Sequence, residues 1–218
     1  VVIATQGYVF GGGVEMSMHA DSVMASAESY IGLVEAGVGL LPGGGGTKEF
    51  AVRLSESFFE GDVQMPRLAE MFKTIAMAQV ATSAPMAFDM KYLLPDRDHV
   101  VLNTAHVLYK AKQQVLRLAI NYVPPVAKQV KVLGRAGLAT LYTAINEFKL
   151  GQFISQHDGL IASKTAYVMC GGDLTGSQTV SEQYLLDIER EAFISLCGEE
   201  KTLERIQYML QFNKPLRN

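Results

Sequence analysis

The sequence predicts an α/β protein with its strands early and its helices late. Short β-branched runs near the start alternate with a glycine triplet and a helical stretch. Apolar residues then recur at the spacing of one helical face from Phe50 onward, and that signal returns from Ser181 to the end.

A strand is expected over residues 1–5, running through Gln6 to Phe10 into Gly11, Gly12 and Gly13. Val14 and Met18 then suggest a short helix, which puts the glycines at a helix N-terminus. Val23, Met24 and Ala25 form a second strand-like run, and Tyr30 to Leu33 a third. Thr47 is a candidate N-cap for a helix carrying Phe50, Ala51, Leu54 and Phe58 on one face. Pro66 suits a first helical position, with Leu68, Met71, Phe72 and Ile75 continuing a stripe toward Ala81. Thr104 is a candidate cap for a helix that Pro124 and Pro125 end. Residues 126–180 are less patterned, punctuated by Gly134, Gly137, Gly151, Gly171 and Gly172. Tyr184, Leu185, Ile188, Ala192 and Leu196, then Leu203, Ile206 and Leu210, mark the closing helices.

With 49% apolar and 19% charged residues, the 218-residue chain has an ordinary globular composition. A net charge of −3 and scattered Lys and Arg give no basic footprint for nucleic acid. No apolar run reaches the roughly 18 residues of a membrane helix. The two cysteines have no metal-like spacing with the four histidines, and a reducing cytoplasm is the expected location. The opening Val1, Val2, Ile3 resembles neither a methionine start nor a signal peptide, so the chain is expected to begin inside a domain.

Two glycine clusters invite a nucleotide reading and fail it. Met16 stands where the last glycine of a dinucleotide fingerprint belongs, and Thr47-Lys48 reverses the order of a phosphate-binding loop. Glu15 and His19 could face one metal ion, yet no third ligand follows in recognisable spacing, so no metal is expected. His99, His106 and His157 have no nucleophile signature nearby and read as surface or capping residues.

Two acids stand out by context. Glu15 follows three glycines, and Glu35 lies between the apolar stretches Ile31 to Val34 and Ala36 to Leu41. A lone acid at either place is ordinarily a solvated one, near a helix start or in a loop. Apolar neighbours tend to raise a carboxyl pKa, which suits a group exchanging protons near neutrality. Two carboxylates can divide a proton removal from a proton delivery.

Residues Gln6 to Glu15, Asp21, and Ile31 to Thr47 with its Pro42-Gly43-Gly44-Gly45-Gly46 run closely resemble the crotonase, or enoyl-CoA hydratase, superfamily. The match continues loosely from Ala84 to Pro125 and resumes from Tyr184 to Pro215. The resemblance implies a crotonase-like (ClpP/crotonase) α/β fold, N-terminally truncated, with additional C-terminal helices. It divides the chain into a core at 1–125, a helical insertion at 126–180 and closing helices at 181–218. It further implies that Gly12 gives one N–H to the oxyanion hole holding a thioester carbonyl. Gly11, Gly13, Leu41, Pro42 and Gly43 would contact the acyl-CoA substrate. Glu15 and Glu35 would flank the water that adds across the trans-2 double bond. The presence of both acids favours hydration over double-bond isomerisation; a catalytically silent acyl-CoA-binding or assembly module is the reading from another class.

Val34 departs from the family, which has proline there. The family's first strands, its other oxyanion N–H and much of its CoA surface would lie upstream of Val1, so the isolated chain is expected to be inactive. The stretch Val168 to Asp173 and the ending Lys214 to Asn218 are similar to bacterial proteins in which a 3-hydroxyacyl-CoA dehydrogenase precedes a hydratase. The resemblance therefore implies a fatty-acid β-oxidation enzyme, a homo-oligomer, with no cofactor in this segment and NAD bound upstream.

Overall fold

A computed structural model describes residues 1–218. In chain order the elements are β1 (Val2–Thr5), β2 (Tyr8–Phe10), α1 (Gly12–Met18), β3 (Ser22–Ser26), β4 (Tyr30–Gly32), a 3-10 turn (Glu35–Val38), α2 (Gly46–Glu56) and α3 (Gln64–Ala76). There follow β5 (Val80–Ala81), α4 (Ala84–Asp89), β6 (His99–Val101), a second 3-10 turn (Thr104–His106) and α5 (Val107–Ala119). The chain closes with β7 (Gln129–Val132), α6 (Gly134–Leu150), α7 (Gln156–Met169), β8 (Gln178–Ser181), α8 (Glu182–Cys197) and α9 (Glu200–Phe212). Two compact units result: Val1–Leu33 with Val80–Val126, and Val34–Gln79 with Ala127–Asn218.

The first unit holds two small sheets. In one, β1, β3 and β6 run parallel, with Val2 opposite Ser22 and Met24 opposite His99. In the other, β2 lies parallel to β4 and β5 antiparallel to it. Every residue of β3 is buried, as expected of a central parallel strand. Helix α5 lays Val107 and Ala111 on Met24 and Val101, while its Gln114 donates to Ser22 Oγ at 3.2 Å. Asp98, on the turn before β6, accepts from the Val23 and Leu94 amides, each at 2.8 Å. Its neighbour Arg97 donates to the Met18 and Ser17 carbonyls at 2.6 and 3.3 Å, satisfying the open C-terminal end of α1.

The second unit is mostly helical. Its core joins Leu41, Ala51 and Val52 to Val130, Val132, Ile161, Val168, Leu185 and Leu196. Close packing shows at Gly137 of α6, where a Cβ would sit 3.0 Å from Leu68 and 3.2 Å from Cys170 Sγ. Burial pushes the Cys170 thiol up to about 12, whereas Cys197 is exposed. A buried charged group ties α2 down: Lys48 Nζ pairs with Glu182 at 3.0 Å and Glu49 at 3.2 Å, and Arg53 meets Glu49 at 3.1 Å. The boundaries expected at 125/126 and 180/181 differ from these units, because residues 127–180 share their core with residues 34–79.

Several local expectations are corrected. Thr47 does not cap α2: Gly45 takes the cap position, and the Thr47 hydroxyl donates instead to Pro42 O at 2.9 Å. The second 3-10 turn is capped by Asn103, whose Oδ1 accepts from Ala105 N at 3.1 Å, and not by Thr104. Pro66 is the third residue of α3, still in the first turn, where a missing N–H leaves no helical bond unmade. Ala81 lies on β5, not on a continuation of α3. His157 is neither surface nor cap: it is buried at the start of α7.

Candidate active site

Helix α1 starts from a backbone that only glycine adopts readily. Gly11 has φ 54° and ψ −124°, and its N–H donates to Gly32 O at 3.1 Å while its carbonyl accepts from Val14 and Glu15. Gly12 is the first helical residue, with nothing within 4 Å of where a Cβ would be. Its amide belongs to the first turn, whose N–H groups have no helical acceptor. Gly13 is exposed beside it. One face of that helix start is therefore open to a ligand carrying partial negative charge.

Glu15 follows in the first turn, only 7% exposed. The ordinary solvated acid near a helix start is thus not what stands here. Its carbonyl accepts from the His19 backbone N–H at 3.2 Å and from His19 Nδ1 at 2.7 Å. A carbonyl can only accept, so the His19 ring carries its proton on Nδ1. That backbone bond relates Glu15 to His19.

Glu35 belongs to the second unit, where it opens the 3-10 turn Glu35–Val38 and is half-buried. Its carbonyl accepts from Leu40 N at 3.1 Å. Leu41 is fully buried in the core of this unit, Pro42 is buried beside it, and Gly43 follows half-buried. A Cβ at Gly43 would run into the Phe193 ring of α8, so close approach of two segments explains the glycine. Thus Gly11, Gly12, Gly13 and Glu15 cluster in one unit, and Glu35, Leu41, Pro42 and Gly43 in the other.

Sequence reasoning missed the side chains that fix the second cluster. Glu189 of α8 is 1% exposed, and its two carboxylate oxygens accept the Gly45 and Lys48 amides, each at 2.7 Å. That is helix N-capping supplied from another helix, with a negative charge at the positive end of α2. Thr202 Oγ1 donates to Gly39 O at 2.9 Å, and Arg205 Nη1 to Ala36 O at 3.2 Å. An acid and an arginine on amphipathic helices carry no local signal of such roles, because their partners lie far away in the chain.

Solved structures with a similar fold include hydratases of the crotonase fold. A carnitinyl-CoA hydratase from Mycobacterium avium superposes with a TM-score of 0.54 at 19% identity, covering 99% of this chain and 61% of that one. At that identity the likeness establishes the fold, and the fold is the crotonase α/β fold. The sequence profile of the Enoyl-CoA hydratase/isomerase family matches residues 1–71, the stretch that holds both glycine clusters and both acids. Over these residues the chain is similar to that family.

Three curated relatives match along nearly all of the chain. A Bacillus subtilis (strain 168) protein named "Probable 3-hydroxyacyl-CoA dehydrogenase" is 45% identical over 219 residues, which are 100% of this chain and 27% of that protein. A Rickettsia felis protein, provisionally named a fatty acid oxidation complex trifunctional enzyme, is 27% identical over 97% of this chain and 26% of its own length. The chain thus spans about a quarter of the curated relatives it matches. No helix is long and apolar enough to cross a membrane.

Proposed function

We propose that this chain is the hydratase module of a longer fatty-acid β-oxidation enzyme, and that it adds water to trans-2-enoyl-CoA to give 3-hydroxyacyl-CoA. The observation that carries this reading is the pair of carboxylates, each in the first turn of a helix or 3-10 turn, inside the stretch that matches the hydratase/isomerase family. The N–H of Gly12, an exposed residue at the positive end of α1, donates to the thioester oxygen as the enolate develops. Gly11, Gly13, Leu41, Pro42 and Gly43 shape the substrate-binding loops. Of Glu15 and Glu35, one takes a proton from the attacking water and the other delivers one to the α carbon.

The curated relatives support a wider protein that also oxidises the 3-hydroxyacyl product. No dinucleotide fingerprint falls in this chain, so NAD would be held by residues outside it. A cytoplasmic homo-oligomer completes the proposal, and the two free thiols Cys170 and Cys197 suit a reducing compartment.

Steady-state kinetics of the intact protein on a short enoyl-CoA test the reading. Glu15→Gln and Glu35→Gln are each expected to lower hydration by at least about a hundredfold while the fold persists. Near-wild-type turnover in either variant would remove that residue from the proton transfer. Loss of hydration with double-bond migration retained in Glu35→Gln would point to the isomerase half of the family instead.

A further inference from the structure

The turn that begins at Glu35 is closed from within by backbone bonds, Gly37 N to Val34 O at 3.0 Å, Gly39 N to Ala36 O at 3.2 Å and Leu40 N to Glu35 O at 3.1 Å. None of its four residues is fully buried, and Val34, at its cap position, supplies no side-chain hydrogen bond. Its backbone is gripped from outside by one face of α9. Thr202 and Arg205 stand one helical turn apart there, 0% and 1% exposed, and donate respectively to Gly39 O at 2.9 Å and Ala36 O at 3.2 Å. Gly39 lies at φ 88°, and a Cβ there would come within 2.8 Å of Thr202 Oγ1, so the two segments meet without slack.

Helix α7 backs both donors. His157 Nε2 lies 2.9 Å from Thr202 Oγ1, and Asp158 Oδ1 accepts from Arg205 Nη1 at 2.8 Å. The Thr202 hydroxyl has one proton, committed to Gly39 O, so its oxygen accepts from His157, which must carry its proton on Nε2. Burial first, and then the charge of Arg205, hold the His157 pKa below its ordinary value, which favours the neutral ring. Burial alone would raise Asp158; the Ser155 backbone N–H and Arg205 outweigh it and keep the carboxyl below its usual range. Ser155 and Asp158 also form the capping box of α7, so this brace begins at a fixed helix start.

We propose that Thr202 and Arg205, backed by His157 and Asp158, are positioning residues that set the direction in which the turn presents the Glu35 carboxylate. The inference rests on Glu35 acting in proton transfer. A displacement of about 1 Å at a reacting group can cost up to about a hundredfold in rate, so a clamp on two carbonyls of a short turn has a kinetic consequence.

The test is a double-mutant cycle in the intact protein, with Thr202→Val, Arg205→Lys and Thr202→Ser measured alone and on Glu35→Gln, and folding followed by circular dichroism. Thr202→Val and Arg205→Lys are expected to lower kcat by roughly ten- to a hundredfold with KM little changed, and Thr202→Ser to keep most of the activity. On Glu35→Gln the same changes should produce no further loss, because they act through a carboxylate already removed. A folded Thr202→Val with full kcat, or an undiminished further loss on Glu35→Gln, would overturn the proposal. Should Arg205→Lys not fold, the Thr202 pair decides alone. Near-wild-type turnover of Glu35→Gln itself would instead bring down the functional reading, and this inference with it.

Discussion

The two units hold their carboxylates in opposite ways. In the first, Glu15 stands in a helix whose start is built mostly from nearby residues: Gly11 sets the turn, bonds Gly32 and accepts the Val14 and Glu15 amides, and the long-range donor Arg97 reaches only the far end at Ser17 and Met18. In the second, the Glu35 turn and the following glycine loop are held by side chains 163 and 169 positions away for the turn, and 144 and 141 for the loop. A locally built site tolerates change elsewhere in the chain. A site held at long range depends on the packing of every helix between.

Removing Glu189 is the strongest way to break that contrast on the stability side. Glu189→Ala leaves two buried amides without an acceptor and removes the charge at the start of α2, at a cost of roughly 2 to 5 kcal/mol. Urea unfolding should show the midpoint falling accordingly. An unchanged midpoint would mean that the glycine loop is fixed by something other than this long-range cap.

A pair of glycine substitutions sharpens the comparison at smaller scale. Gly39→Ala combines a left-handed backbone with a clash against Thr202, and is expected to cost roughly 1 to 3 kcal/mol. Gly12→Ala enters open space at a first helical position and should change stability by less than about 0.5 kcal/mol. Thermal unfolding of the two proteins under one condition gives the difference directly. Equal shifts would contradict the view that the second unit is the tighter of the two around its loop.

The smallest effect concerns pH. With its folded pKa lowered, His157 takes up a proton in the unfolded chain before it does so in the folded one. Its contribution to stability is therefore complete above its ordinary value of 6.5 and is lost as pH falls from there toward the folded pKa. Asp158 repeats the pattern below its ordinary value of 3.8. Glu199, which raises the His157 pKa, and Lys201, which lowers it, lie close enough to modulate the first step. His157→Gln should flatten the fall in melting temperature just below pH 6.5 and leave the more acid one. A fall of the same size in both proteins would assign it to another group.

What the sequence disclosed follows the same division. The strand, glycine and helix pattern of the first residues was legible because each element is specified by its neighbours, and the parallel pairing of β1 with β3 joins segments close in the chain. Strands β5 and β6, of two and three residues, are too short for a periodic pattern to emerge. Residues 126–180 read as an insertion because β7 meets β8 only across two intervening helices, and no local signal announces an antiparallel pair so separated. Thr47 was mistaken for a cap because Glu189, the residue that satisfies the helix start, lies on a different helix. Glu15 stands out in the sequence by its three glycines and Glu35 by its apolar neighbours, while their surroundings in the folded chain are not visible there.

Cys170 gives the second unit a clock of its own. A thiol at full burial, pushed up to about 12, has almost no thiolate to offer a modifying reagent, whereas Cys197 is within reach from the surface. Its sulfur lies where α6 and α7 close over each other at Gly137, so a reagent reaches it only when those helices part. The rate at which the second thiol is titrated, after the first has gone, thus counts the openings of the helical layer under native conditions, one alkylation at a time.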